Sequence, residues 1–446
     1  MNSTTLARDA EIVRTVACLI TSDSDYDALI QSAGDAQCVL IGEASHGTHE
    51  FYAIRAELTR RLIEEKNFRA VALEADWPDS FRVHRFVTNR GQERDANEAL
   101  KDFRRFPSWM WRNHVVVDFI EWLRKWNSTR TSEHDYAGFY GMDLYSMHAS
   151  IEAVLGYLDK VDPQAARRAR YRYSCFDHFG EDPQRYGLAT AAGGAEPCEN
   201  EVVDQLIELR RKYDELMSRD GRVSEEEFFS AEQNARLIMN AERYYRAMFQ
   251  GRTSSWNLRD THMFETLNEL FAHLNGGRAK LVVWAHNSHL GDARATEMGE
   301  RGELNVGQLV RQHFGERACA IGFSTFTGTV TAASDWGLPA ERKRVRQALP
   351  GSYEELFHAT GVRHFWLDLR SKKNDATELL RDERLQRAIG VIYRPETERL
   401  SHYFEVRLPE QFNALIHLDE TRALEPLERT SEWDRGELPE TYPTTL

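Results

Sequence analysis

The chain has 446 residues, of which 41% are apolar and 29% charged, and a formal net charge of −14. That balance is ordinary for a globular protein of one large α/β domain with an insertion, or of two domains. It argues against nucleic acid or an anionic membrane as the main partner, since both reward basic surfaces.

Residues 6–33 predict one or two helices. No basic segment followed by a long apolar run opens the chain, so neither a signal peptide nor a membrane span is expected. Cys18, Cys38, Cys175, Cys198 and Cys319 are odd in number and form no CxxC pair. A disulfide framework or cysteine zinc site is therefore not predicted, and a reducing cytoplasm is the expected setting.

Four short apolar runs then each end on an ionisable residue. They are Cys38–Gly42 before Glu43, Ala70–Leu73 before Glu74, Tyr136–Met142 before Asp143, and Leu281–Ala285 before His286. Unbroken runs of this length read as strands buried on both faces of a parallel sheet. Ligands of open α/β sheets bind beyond the carboxyl ends of the strands, so these four ends predict an active site. Between the first two runs, 49–66 reads as a helix, and 79–127 is largely helical. Residues 146–274 read almost wholly helical, with amphipathic stretches at 199–217 and 225–250 and a Gly/Pro-rich loop at 180–198. Further strands are predicted near 317–323, 328–333, 363–369, 389–393 and 413–418. The fold predicted is α/β: a central, largely parallel sheet flanked by helices, with a long helical insertion that serves as a lid or an oligomer surface. Residues 1–145 and 275–424 would form the two parts of a catalytic domain, 146–274 the insertion, and 425–446 a surface tail or edge wrap.

Two segments carry the chemistry. In Gly42-Glu-Ala-Ser-His-Gly47, Glu43 and His46 lie three apart in a tight turn, a pairing suited to general-base catalysis; the alternative is a helix cap beside a turn histidine. In Trp284-Ala-His-Asn-Ser-His-Leu290, His286 and His289 offer an acid or oxyanion donor, or two metal ligands. Arg55 falls inside the apolar stripe Phe51, Leu58 and Leu62. A guanidinium on that face needs an anion, with Glu43 and Glu74 the candidates, unless it snorkels at the stripe's margin. In Glu74-Ala-Asp76 one acid is expected to face the cleft and the other a helix N-terminus. Trp109 and Trp111 are candidate cleft-lining aromatics. There is no G-x-S-x-G, no P-loop and no strand-following G-x-G-x-x-G, which disfavours serine-hydrolase and common nucleotide-binding chemistry.

Ile41–Glu50, Ala70–Pro78, Phe106–Arg112, Gly138–Asp143 and Trp284–Leu290 together resemble the erythromycin esterase family. So do Ser255–Asp260, Leu304–Leu309 and Gly328–Ser334, and the likeness runs over about 36–420. It is nearest the broad bacterial branch called erythromycin esterase-like or succinoglycan biosynthesis protein. The resemblance implies hydrolysis of a small-molecule ester or lactone by water, with no cofactor and no metal. It implies His46 as general base, Glu43 orienting it, Arg55 and Glu74 as the supporting charges, and His286 donating to the carbonyl oxygen or returning the proton. His289, Asp143, Trp109, Trp111 and Asp76 are the expected substrate-binding residues. Two other readings stay open: a metal-dependent or non-hydrolytic enzyme acting on a polyhydroxylated compound, and a binding protein with a relic site.

Overall fold

β-Branched and other apolar residues in short runs, bounded by turn residues, build one central sheet. The computed structural model describes residues 3–180, 182–213, 225–249, 251–370 and 374–436. Its strands are β1 (Cys18–Leu19), β2 (Cys38–Ile41), β3 (Ala70–Asp76), β4 (Gly138–Asp143), β5 (Leu281–Trp284), β6 (Ala318–Ala332), β7 (Glu341–Val345), β8 (His364–Asp368), β9 (Arg384–Arg387), β10 (Tyr403–Val406) and β11 (Ala414–Thr421). The main sheet runs β1-β8-β11-β6-β2-β5-β3-β4, with β7 on β6, and β9 and β10 form a separate ribbon. From β11 to β4 all neighbours are parallel, whereas β8, β1 and β7 pair antiparallel.

The order places β5 between β2 and β3, although it follows β3 by some two hundred residues. Ile41 pairs with Trp284, Trp284 with Leu73, and Leu73 with Gly141. The ionisable residue after each run therefore emerges at the same edge. Alternation of side chains divides β5 between two cores. Val282 and Trp284 pack on the layer containing the helix His49–Lys66, while Leu281 and Val283 pack on the layer of the helices between 147 and 273. The helical segment thus shares a core with the sheet.

Several elements differ from expectation. Strands predicted at 317–323 and 328–333 are one strand, β6: Ser324 and Thr325 interrupt the apolar pattern, but His417 and Thr421 on β11 satisfy their hydroxyls. Residues 389–393 are not a strand; the preceding Arg384–Arg387 is, and Ile389 makes only an isolated bridge to Ser45. Charged β7 and β9 escaped the apolar pattern, as edge and ribbon strands commonly do. The 180–198 loop contains a helix, Pro183–Ala191, started by Asp182, whose side chain accepts from the Gln184 N–H, and by Pro183 in its first turn. Cys175 and Cys198 are joined by a disulfide, with Cα atoms 6.1 Å apart, against the expectation of free thiols. The expected surface tail is anchored as far as 436: Trp433 is buried and donates to Thr331 Oγ1 at 2.7 Å. Residues 437–446, and 214–217 of the amphipathic stretch, lie outside the described residues. Among the described residues no helix is long and apolar enough to cross a membrane.

The turn after β2 is held without slack. Gly42 N donates to Ile321 O at 2.8 Å, and Gly47 O accepts from both Thr331 N and Leu424 N. A Cβ on Gly47 would lie 1.8 Å from Thr331 O. Gly47→Ala should therefore lower stability by about 1–3 kcal/mol, as overpacking against backbone generally does. Urea unfolding checks this; an unchanged midpoint would show that the turn yields freely.

Candidate active site

Four strand ends and one helix make the site. Beyond β2, the Glu43 carboxylate accepts from His46 Nδ1 at 2.9 Å. Its other oxygen lies 3.1 Å from Arg55 Nη2. Arg55 is fully buried, with its guanidinium over the rings of Tyr52 at 4.3 Å and Trp284 at 5.1 Å. The inward arginine on the Phe51-Leu58-Leu62 stripe thus meets an anion, and the snorkelling alternative does not hold. With Nδ1–H committed to Glu43, the lone pair of His46 is on Nε2, which faces Glu74 Oε1 at 4.0 Å.

Beyond β5, His286 caps the short helix Asn287–Leu290: its Nδ1 accepts from the Ser288 N–H at 3.2 Å. The ring proton is then on Nε2, which makes no well-aligned hydrogen bond to a side chain and has the Ala44 carbonyl as its backbone neighbour. Burial, and then the neighbouring His46, hold the His286 pKa well below the ordinary range, so the ring is neutral. The two imidazoles lie 4.9 Å apart, centroid to centroid. Asn287 ties the strand ends together: its N–H donates to Glu43 O at 2.8 Å and its side-chain amide to Phe323 O at 2.7 Å.

Glu74, at the end of β3, accepts from the His286 backbone N–H at 2.9 Å and from Arg259 Nη2 at 2.7 Å. Arg259 also binds both oxygens of Asp143, at 3.0 and 2.7 Å. Burial would raise the Glu74 carboxyl, but His289, Arg259 and His46 overcome it and hold the group well below the usual range. Asp143 is likewise lowered, with Arg259 outweighing burial. His289 lies 3.4 Å from Glu74 Oε1 through Nε2, while its Nδ1 lies 2.9 and 3.0 Å from the two oxygens of Asp260.

A cavity of about 370 Å³ touches His46, Glu74, Asp76, Asp143, His286 and His289. Both acids of Glu74-Ala-Asp76 line it, with Ala75 between them, where the register of β3 against β4 shifts after Leu73; Asp76 starts the next helix but makes no side-chain cap, and binds Arg105 at 2.9 Å instead. Trp111 lines the cavity as well. Trp109 does not; it packs edge-on against Phe106 in the core behind, at 5.3 Å. Residue-level reading missed Arg259 and Asp260. The available signal was the one that flagged Arg55: a charged pair on the buried stripe Asp260, Met263, Leu267 and Leu270 of the helix Arg252–His273. Among the described residues no three His, Cys, Asp or Glu side chains are arranged as a metal site.

A sheet edge carrying paired imidazoles and carboxylates over a cavity is an arrangement suited to acid–base chemistry in an α/β fold. The erythromycin esterase family model matches residues 63–421, and the chain belongs to that family. Among its relatives are erythromycin esterase type II of Escherichia coli, 20% identical over 79% of this chain and 85% of the relative. Another is a candidate hydrolase of Bacillus subtilis (strain 168), YbfO, 21% identical over 89% and 86%. The fold resembles the crystal structure of a succinoglycan biosynthesis protein, with TM-score 0.77 and 18% identity over 95% of this chain and 100% of that one. It also resembles a mutant of the erythromycin esterase EreC in its open conformation, with TM-score 0.66 and 16% identity over 92% and 96%.

Two outcomes follow from the charge lattice. Arg55→Leu leaves Glu43 buried without its ion partner and should cost about 3–5 kcal/mol, measured by denaturant unfolding. The depressed Glu74 pKa contributes stability that is complete above its unfolded value of about 4.3 and is lost as pH falls from there towards the folded value. Acid unfolding of Glu74→Gln should accordingly begin from a lower stability and fall less steeply below about pH 4.3 than the wild type.

Proposed function

We propose that the protein hydrolyses a carboxylic ester or lactone by direct attack of water, with His46 as general base. The observation carrying this reading is two adjacent imidazoles whose Nδ1 atoms meet opposite partners, the Glu43 carboxylate for His46 and the Ser288 N–H for His286. His46 presents a lone pair on Nε2 and His286 presents an N–H on Nε2. Water bound at His46 gives up a proton to Nε2 as its oxygen bonds to the carbonyl carbon. The developing oxyanion accepts from His286 Nε2–H. Collapse breaks the acyl C–O bond, and His46 returns the proton to the departing alkoxide. Glu43, itself balanced by Arg55, stabilises the imidazolium formed in between. The base and the oxyanion donor each contribute roughly 10²–10⁴-fold in sites of this type.

Of the set Glu43, His46, Glu74, His286 and His289 that a metal-dependent reading would use, Glu74 and His289 converge with Asp143 on the Arg259 guanidinium. That cation already does the charge balancing that a metal reading would require. In this proposal Asp143, Asp76 and Trp111 contact the substrate, and the helical segment 146–274 supplies a wall through Trp256 and Arg259. A second chamber of about 700 Å³ adjoins the first and shares Asp76, Asp79, Arg105, Tyr145 and Trp336 with it. Space on this scale suits a substrate larger than a simple alkyl ester. Erythromycin, named for the Escherichia coli relative, is the first candidate.

Mass spectrometry of a macrolide, a lactone panel and simple esters should show a gain of one water's mass with the wild type. His46→Ala should fold normally and lose at least roughly 10²-fold in turnover. A His46→Ala variant with unimpaired hydrolysis would overturn the assignment.

A further inference from the structure

Asp260 touches neither cavity, yet its carboxylate is fully engaged. It is fully buried in the helix Arg252–His273. Both oxygens lie within 3.0 Å of His289 Nδ1, and Oδ1 also accepts from the Val306 N–H at 3.0 Å. The His289 ring is clamped on its other side, stacked on Trp256 at 4.5 Å with an interplanar angle of 6°. Its position, orientation and Nδ1 proton are therefore all imposed from outside the cavity.

The choice left to the ring is at Nε2, which has two neighbours of opposite sign. Arg259 Nη1 is 3.1 Å away and Glu74 Oε1 is 3.4 Å away. A neutral His289 accepts from Arg259 and makes no hydrogen bond to Glu74. A protonated His289 donates to Glu74 and stands between two carboxylates. Deprotonation thus removes a charge-assisted contact from the carboxylate that faces His46 and binds the His286 N–H.

We propose, on the basis of the hydrolytic reading above, that Asp260 is a positioning residue for the reaction. It acts through His289 on Glu74, and the working site carries a protonated His289. The groups facing His289 are Asp260 and Arg259 from the helix, Glu74 from β3 and His286 from its own turn. Asp143 acts through Arg259, and Glu303 faces Asp260. Burial and the Arg259 guanidinium oppose the charged ring, but Asp260 and Glu74 outweigh them and raise the His289 pKa to about 9. In linkage terms, a raised folded value gives stability that is complete below the unfolded value of about 6.5 and is lost as pH rises through about 9.

The test compares wild type, Asp260→Asn and Asp260→Glu on an ester the wild type hydrolyses, with the His289 ring followed by NMR across the same pH range. In the wild type kcat should fall, and the ring titrate, near pH 9. In Asp260→Asn kcat should drop roughly 10²-fold with KM little changed, and both transitions should move down towards about 6.5. Asp260→Glu, which keeps the charge, should restore most of the rate and the high transition. An Asp260→Asn enzyme with the wild-type rate and alkaline limb would overturn the proposal. So would a wild-type ring that titrates at or below about 6.5. The ring titration needs no turnover. It therefore decides the point if no ester is hydrolysed, which would count against the hydrolytic reading alone, and it decides it on the wild type if the asparagine variant does not fold.

Discussion

The site is organised around one buried anion. Glu74 contacts the His46 turn after β2, the His286 backbone after β5, and Arg259 on the distant helix. A carboxylate removed from water is costly unless its charge is matched and its lone pairs are used. Here a guanidinium, a backbone N–H and a second imidazole do this together, so the parts position one another. Moving any of them leaves Glu74 undersatisfied, and that cost favours a single geometry at the strand ends.

Around this anion stand two carboxylate–imidazole pairs with different electrostatic settings. Glu43, which holds His46, is shared with a fully buried arginine, so its charge is already balanced. Asp260, which holds His289, makes no arginine ion pair among the described residues, although Arg259 acts on it at longer range, and the same ring also faces Glu74. One setting suits an imidazole that takes up and releases a proton. The other suits one that keeps its charge. Between them, burial and the His46 ring keep His286 neutral, as a hydrogen-bond donor to a developing oxyanion must be to retain its tautomer.

Much of the arrangement was legible because burial writes itself into composition. Unbroken apolar runs identified β2 to β5, and a charge at the end of each marked the edge. Arg55 stood out because a guanidinium in an apolar stripe demands an anion. The same logic applied to Arg259 and Asp260, but they sit in a long helix amid many charged residues, where the buried stripe is harder to separate from a solvated face. Polar Ser324 and Thr325 masked the continuity of β6, since their cross-strand partners are nearly a hundred residues away. Trp109 and Trp111, two apart in a short 3₁₀ turn, look equivalent as a sequence, yet only Trp111 reaches the cavity.

The amino-acid sequence by itself determined which residues had to be buried, which strands were parallel and central, and which ionisable groups stood at their ends. These follow from local periodicity and from the cost of burying charge. Only the tertiary structure decided the partners. The insertion of β5 between β2 and β3 sets His286 beside His46. The return of the helix Arg252–His273 over the same edge supplies the cation for Glu74 and the anion for His289. Strand order and helix return are settled by long-range packing of two cores, which no local pattern encodes.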